Sequence, residues 1–151
     1  MACEHCHNHE SWAIDDGKDY TVGQEMRTIK KPGPKKKTIR GVTFSGGEPF
    51  LQAKEIAKVA AEVRKLGWDV VTYTGYTYEE LCARNDPDVH TLLHLSDYLI
   101  DGRYIHERRN RSLVFRGSDN QRIIDMAATR NQGHVVLADL VPEGDGNSQI
   151  L

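Results

Sequence analysis

Short apolar segments that alternate with helical segments most strongly limit the folds open to this chain of 151 residues. Segments 38–44, 68–73 and 98–100 are rich in β-branched and aromatic residues, which predicts strands. Between the first two, apolar residues recur at helical spacing from 53 to 66, and Gly67 ends that helix. This arrangement is typical of strands joined by helical crossovers.

The second half of the chain continues the alternation. Thr77 is placed as a helix N-cap, with Glu80 completing a capping box, and Pro87 breaks that helix or starts another. We expect a short helix over 123–128 and a last strand over 135–138. The order β-α-β-α-β-α-β predicts an α/β domain built on a parallel sheet.

Polar or glycine-bearing turns follow the first three predicted strands. They begin at Ser45, Thr74 and Asp101. In parallel sheets, ligands bind outside the carboxyl ends of the strands. The topology alone therefore brings three candidate site loops to one edge of the sheet.

Composition narrows the class of protein further. Hydrophobic residues make up 38% and charged residues 28%, which suits one soluble domain, and the net charge of −2 gives no reason to expect nucleic-acid binding. No apolar run approaches the ~20 residues of a membrane span, and no signal peptide opens the chain, so we expect a cytoplasmic protein without a membrane partner. The basic run 27–40 is either a solvated loop or a docking surface for an acidic partner.

Two cysteines near the start, Cys3 and Cys6, are separated by two residues. In a reducing compartment such a pair can hold an iron–sulfur cluster, bind zinc, act as a dithiol couple, or remain idle. A zinc site would recruit His5, His7 or His9 as nitrogen ligands. The pair alone leaves these alternatives open.

A resemblance to a known family narrows the alternatives. The ordered motifs resemble the radical S-adenosylmethionine (SAM) enzymes and, within them, the activators of anaerobic (class III) ribonucleotide reductase. The similarity covers nearly all of residues 3–137. It is carried by Cys-Glu-His-Cys-His-Asn at 3–8, Glu-Ser-Trp at 10–12, Thr-Phe-Ser-Gly-Gly-Glu-Pro at 43–49, Tyr-Thr-Gly-Tyr at 73–76, Asp-Gly-Arg-Tyr at 101–104, and Phe-Arg-Gly-Ser-Asp-Asn-Gln-Arg at 115–122.

The resemblance implies a partial (β/α) barrel with a mainly parallel sheet, and an oxidoreductase that uses a [4Fe–4S] cluster and SAM. Such an enzyme cleaves SAM reductively and generates a glycyl radical on the large subunit of the reductase, with electrons from a flavodoxin-like donor. It implies Cys3 and Cys6 as metal ligands. The SAM contacts that it implies are His5, Cys6, His7, Gly46, Gly47 and Glu48.

The family pattern places a further cysteine four residues before Cys3, and a strand before that cysteine. We therefore expect one domain over 1–151 that is N-terminally truncated relative to the family, with a tail from about residue 142. Two thiolates hold a [4Fe–4S] cluster poorly, so this chain could fold without carrying out the reaction. The alternatives are an activator of another glycyl-radical enzyme such as a formate-lyase, a zinc-binding module, or a non-catalytic module that docks the reductase.

Several other side chains have both a functional and a structural interpretation. Asp101 could contact SAM or simply end a strand, and Arg116 with 120–122 could hold the partner's glycine loop, bind a SAM carboxylate or cap a helix. Cys82 lies in a helical apolar pattern, which predicts a core position. His90 and His94 have i,i+4 spacing but no third ligand in view, so we expect ordinary helix residues.

Overall fold

A four-stranded sheet with helices forms the part of the chain that this computed structural model describes, residues 18–31 and 39–138. Two 3₁₀ turns, Pro49–Leu51 and His106–Arg108, lie in its connections. In chain order the elements are α1 (Val22–Ile29), β1 (Gly41–Phe44), α2 (Ala53–Lys65), β2 (Asp69–Tyr73), α3 (Tyr78–Cys82), α4 (Pro87–Leu95), β3 (Tyr98–Asp101), β4 (Arg122–Asp125) and α5 (Met126–Gln132).

The strands lie in the order β1-β2-β3-β4. β1 pairs with β2 and β2 with β3 in parallel, so the α/β class and the first three strands are confirmed. β4 instead pairs with β3 in antiparallel fashion, which places Asp101 opposite Arg122. The mainly parallel sheet that the resemblance implies is therefore confirmed, and only the last strand departs from the parallel order that the alternation predicts. The described strands do not test closure into a radical SAM barrel.

The helix predicted over 123–128 is also wrong in its first half. Ile123 and Ile124 are β-branched residues that suit a strand, and they belong to β4. The helix begins after Asp125, whose carboxylate accepts from the backbone N–H of Ala128 and so caps α5. The strand predicted over 135–138 contributes a single antiparallel bridge, from Leu137 to Ile124.

The antiparallel direction of β4 follows from its connection. Residues 102–121 join β3 to β4 without an α-helix. Parallel neighbours need a crossover, usually a helix, whereas a chain that returns directly pairs antiparallel. This long connection therefore remains on the same edge of the sheet as the turns after β1 and β2.

Helix α1 was not predicted from the sequence. Its signal is a capping box, in which Thr21 accepts from the backbone N–H of Gln24 while the Gln24 side chain accepts from that of Thr21. Met26 is the buried residue of this helix and packs into the core. The corresponding box at Thr77 and Glu80, predicted for α3, is confirmed.

The two faces of the sheet are covered differently. On one face α2 and α4 pack together, with Ala60, Val63 and Leu92 fully buried against Val70 and Leu99. The other face carries a smaller cluster, formed by Val71, Ile100 and Ile123, with Tyr73, Tyr98, Phe115 and Ala138 packed against it.

Two further findings concern the helices. Cys82, expected in the core, is exposed, because α3 has only five residues and buries its neighbour Leu81 instead. Among the described residues, no helix is both long enough and apolar enough to cross a membrane.

Candidate functional site

The turns after β1 and β2 and the connection after β3 meet in a cleft of about 130 Å³ at the carboxyl edge of the sheet. This confirms that the three predicted loops share one edge. The cleft is lined by Gly46, Gly47, Glu48, Pro49, Tyr73, Thr74, Gly75, Gly102, Tyr104 and Gln121.

The glycine turn after β1 needs glycine for conformational reasons. Gly46 and Gly47 have φ of 77° and 55°, in the left-handed region that side chains disfavour. A Cβ built on Gly46 meets no other atom within 4 Å, so backbone conformation rather than crowding requires glycine there. The turn therefore presents backbone to the cleft without side-chain cover at this position.

Glu48 joins the glycine turn to the turn after β2. Its side chain is buried, with only 4% of the residue exposed. One carboxylate oxygen accepts from the backbone N–H of Phe50 at 3.1 Å and from Thr74 Oγ1 at 2.8 Å. The other accepts from the backbone N–H of Gly75 at 2.8 Å. In this structure the carboxylate holds two site loops together, and its contact with a cofactor remains a prediction.

An ion-pair cluster fixes the third strand end. Asp101 is buried, and its carboxylate accepts from the backbone N–H of Tyr78 at 2.8 Å and from Arg122 Nε at 3.0 Å. Arg122 also donates to both oxygens of Glu79, at 3.1 and 2.7 Å. These hydrogen bonds raise the pKa of Arg122 and lower the pKa of Glu79. The cluster thereby links the end of β3 and the start of β4 to the start of α3.

Gln121 organises the connection between β3 and β4. Its side-chain oxygen accepts from the backbone N–H of Gly117 at 2.8 Å, and its nitrogen donates to the carbonyl of Gly102 at 3.0 Å. A Cβ on Gly117 would approach the Tyr104 ring to 2.9 Å, so glycine lets that ring pack closely. Tyr104 and Gln121 both line the cleft, which makes this connection one of its walls.

Beside the cleft lies a second cavity of about 350 Å³ between residues 112–116, β4 and 137–138. Arg116 and Asn120 line it, and each has one buried polar atom without a hydrogen-bond partner, Nε and Oδ1 respectively. Buried polar atoms are usually satisfied. Gln121 lines both cavities, so they adjoin.

The other predicted ligands of the cluster and of SAM come from the start of the chain. Cys3, His5, Cys6 and His7 lie outside the described residues. Across 18–31 and 39–138, no group of three or more His, Cys, Asp or Glu side chains is arranged to hold a metal ion.

The two histidines at i,i+4 spacing both lie on α4. Both His90 and His94 are exposed, and His90 Nε2 lies 2.7 Å from the carbonyl oxygen of Arg84.

Sequence reasoning missed two features of the site. Glu79 belongs to the Arg122 cluster, but in the sequence it is one of two adjacent glutamates at a helix start. The contact of Tyr104 with Gly117 spans a loop without periodicity. The Asp-Gly-Arg-Tyr and Arg-Gly-Ser motifs marked both neighbourhoods, but nothing in them indicated that the two meet.

Comparison with known proteins identifies the family. A family model described as a 4Fe-4S single cluster domain matches residues 1–124. The anaerobic ribonucleoside-triphosphate reductase-activating protein of Vibrio cholerae is 32% identical over 124 residues, which is 79% of this chain and 77% of that protein. Its counterpart in Escherichia coli K12 is 28% identical over 123 residues, with the same coverage.

A further relative lies outside that group. The pyruvate formate-lyase 1-activating enzyme of Escherichia coli K12 is 29% identical over 136 residues, which is 84% of this chain and 50% of that enzyme. The reductase-activating proteins match more of their own length. The chain therefore belongs to the 4Fe-4S single cluster domain family and to the family of anaerobic ribonucleoside-triphosphate reductase-activating proteins.

Proposed function

We propose that this chain activates an anaerobic ribonucleotide reductase by reductive cleavage of SAM at a [4Fe–4S] cluster, which leaves a glycyl radical on the reductase. The family membership supports the iron–sulfur centre and the class of partner. The observation that carries the proposal is the cleft in which Gly46, Gly47 and Glu48 lie beside the turn after β2 and the loop after β3. Such an edge of a parallel sheet is where ligands bind.

The residues present fit these groups in part, because two thiolates are available where the family pattern has a further cysteine. Cys3 and Cys6 would supply thiolate ligands, the donors that iron–sulfur clusters require. His5 and His7 flank Cys6 and would contact SAM beside the cluster. The cleft, at about 130 Å³, is smaller than a pocket for a whole drug-sized ligand, so it suits the amino-acid end of SAM.

Gly46 and Gly47 would offer backbone groups to the ammonium of SAM, because the turn carries no side chain there. Glu48 adds a buried negative charge and keeps the turn in place through Thr74 and Gly75. When bound, the cluster and SAM supply the one-electron cleavage of the sulfonium and the abstraction of hydrogen from a glycine. The contribution of this chain is to orient SAM and to exclude competing reactions.

The proposal includes the partners and the setting. The large subunit of the reductase is the substrate, and a flavodoxin-like protein in an anaerobic cytoplasm donates the electron. The similarity to a formate-lyase activating enzyme supports a second candidate, activation of another glycyl-radical enzyme. The chain matches a larger share of the reductase-activating proteins than of the formate-lyase activating enzyme, which favours the reductase as the substrate.

The test is anaerobic reconstitution of this chain, and in parallel of a product extended upstream of Met1 in the genomic frame. We expect iron and sulfide rather than zinc, dithionite-dependent conversion of SAM to methionine and 5′-deoxyadenosine, and a glycyl-radical signal on the reductase in electron paramagnetic resonance. Cys6→Ser should abolish all three. Cys82→Ser is the matched control, because Cys82 is exposed on α3 and outside the cleft.

The outcomes separate the alternatives. Stoichiometric zinc would support the zinc module and contradict the proposal. Cluster assembly with binding of the reductase but no SAM cleavage by either product would indicate a docking module. A radical that forms on a formate-lyase but not on the reductase would move the assignment to the second candidate.

A further inference from the structure

The connection between β3 and β4, residues 103–121, concentrates positive charge. It contains five arginines and two acidic residues, which gives a net charge of +3 in a chain whose net charge is −2. The rest of the chain has a net negative charge, although the run 27–40 is also basic. The charge of residues 103–121 is concentrated at one edge of the sheet.

Most of these arginines lack an acidic partner within the described residues. Arg108 Nε donates to Asp119 at 2.5 Å, and Arg122, just beyond the segment, is held by Asp101 and Glu79. By contrast, none of the other four forms an ion pair in the described part of the chain: Arg103, Arg109, Arg111 and Arg116. Arg109 and Arg111 are exposed, whereas Arg116 is half-buried.

Arg116 lines the cavity of about 350 Å³. Its Nη1 donates to the carbonyl of Gln121 at 3.3 Å, and its Nε is buried without a partner. Leu113 and Ile123 give the cavity apolar walls, and its acidic residue, Asp119, is already paired with Arg108. A guanidinium in such surroundings favours a carboxylate or carbonyl oxygen, which it can bind with two parallel hydrogen bonds.

The segment is held in a defined conformation. Phe115 has φ of 58°, the only positive φ at a non-glycine position among the described residues. That conformation is strained for a bulky residue and is often found at functional sites. Tyr73 Oη donates to the carbonyl of Phe115 at 2.7 Å, and the Tyr104 ring packs against Gly117. The charge is therefore displayed on a preformed surface.

We propose that this surface, residues 103–121 with the adjoining cavity, docks an acidic, extended segment of the reductase polypeptide. A carboxylate would enter the cavity beside Arg116, and others would contact Arg109 and Arg111 outside it. Because Gln121 lines both cavities, a segment bound there continues directly into the cleft of the glycine turn. The identity of the partner rests on the proposed function. The net negative charge of the whole chain, −2, favours a polypeptide over a nucleic acid, whose extended phosphate backbone it would repel.

The experiment measures the Kd of the iron-loaded chain for the large subunit of its reductase by anaerobic calorimetry at 50–300 mM NaCl (about 14 to 6 Å of screening length). We expect Arg109→Gln/Arg111→Gln to raise Kd about tenfold at low salt and to flatten its salt dependence. Arg116→Gln should raise Kd about tenfold at all salt concentrations, since its contact is half-buried. Lys54→Gln/Lys58→Gln on α2 removes the same charge from exposed positions and should stay within about twofold of the wild type.

Each other outcome counts against the proposal. Arginine variants that bind like the lysine control would overturn it, as would a wild-type chain that does not bind the reductase. Binding of a single-stranded DNA oligonucleotide that is tighter than binding of the reductase, and lost in the arginine variants, would assign the surface to nucleic acid. Cleavage of SAM by the wild-type chain, measured without the reductase, decides the proposed function independently. Thermal unfolding of each variant checks that it is folded.

Discussion

Glu48→Gln tests whether one buried carboxylate holds the site loops together. The wild-type carboxylate accepts three hydrogen bonds, from Phe50, Thr74 and Gly75. An amide keeps a single acceptor oxygen, so at least one donor loses its partner, and the remaining bonds lose their charged acceptor. A hydrogen bond to a charged group contributes about 1.5–3 kcal/mol, and charge assistance accounts for about half of that. We expect the free energy of unfolding to fall by about 2–4 kcal/mol.

The assay is urea-induced unfolding followed by circular dichroism, with thermal unfolding as a second measure. For a domain of this size the loss corresponds to a Tm lower by about 5–15 °C. Glu62→Gln is the control, because Glu62 forms an exposed pair with Lys65 and should change stability by less than about 0.5 kcal/mol. Hydrogen exchange at the Gly75 amide should become faster in Glu48→Gln alone. If Glu48→Gln is as stable as the control, the reasoning about the buried carboxylate is refuted.

Three further predictions concern the walls of the cleft. Arg122→Gln should lower the free energy of unfolding at pH 7 by about 2–4 kcal/mol, because it leaves a buried carboxylate short of its partner. The hydrogen bond from Arg122 lowers the pKa of Glu79, so the stability that the Arg122–Glu79 pair contributes is fully present above pH 4.5 and is lost as the pH falls through the lowered pKa. The difference in the free energy of unfolding between wild type and variant, measured with urea, should shrink over that pH range. Gly117→Ala should cost about 1–3 kcal/mol by pressing a Cβ against the Tyr104 ring, and in a double-mutant cycle Tyr104→Ala should relieve most of that cost; additive losses would contradict the contact. Tyr73→Phe should cost about 1 kcal/mol at pH 7, and because burial raises the pKa of Tyr73 above 10, the wild type should lose stability above pH 10 faster than the variant; parallel pH profiles would argue against burial of the phenol.

The parts of the fold that were predicted from the sequence depend on local signals. The spacing from 53 to 66, the box at Thr77 and the β-branched segments each act over a few residues, and the structure contains α2, α3 and the first three strands accordingly. Helix α1 has an equally local signal, the capping box at Thr21, which is not an apolar periodicity. The direction of β4 depends instead on how a 20-residue connection returns, for which a short apolar run carries no information.

The candidate site was predicted to a similar extent. The topology indicated correctly which turns share an edge, and the glycine turn lies in the cleft. The bonding of Glu48 to Thr74 and Gly75 depends on contacts 26 and 27 residues apart, which no spacing rule contains. The prediction that Cys82 lies in the core was wrong because α3 ends at this residue, so the apolar helical pattern does not continue beyond it. The ligation of a cluster by Cys3 and Cys6 stays a prediction.

The carboxylates of Glu48 and Asp101 bridge neighbouring loops through donors of the protein itself. Part of the entropy lost when a flexible pocket becomes ordered is therefore paid during folding, before any small molecule arrives. Transplanting the glycine turn by itself into another α/β protein should accordingly yield weak binding, because the rigidity lies in acidic side chains that reach across to adjacent strand ends. An engineered version would need the whole edge, including Thr74, Tyr78 and Arg122, to be moved as a unit.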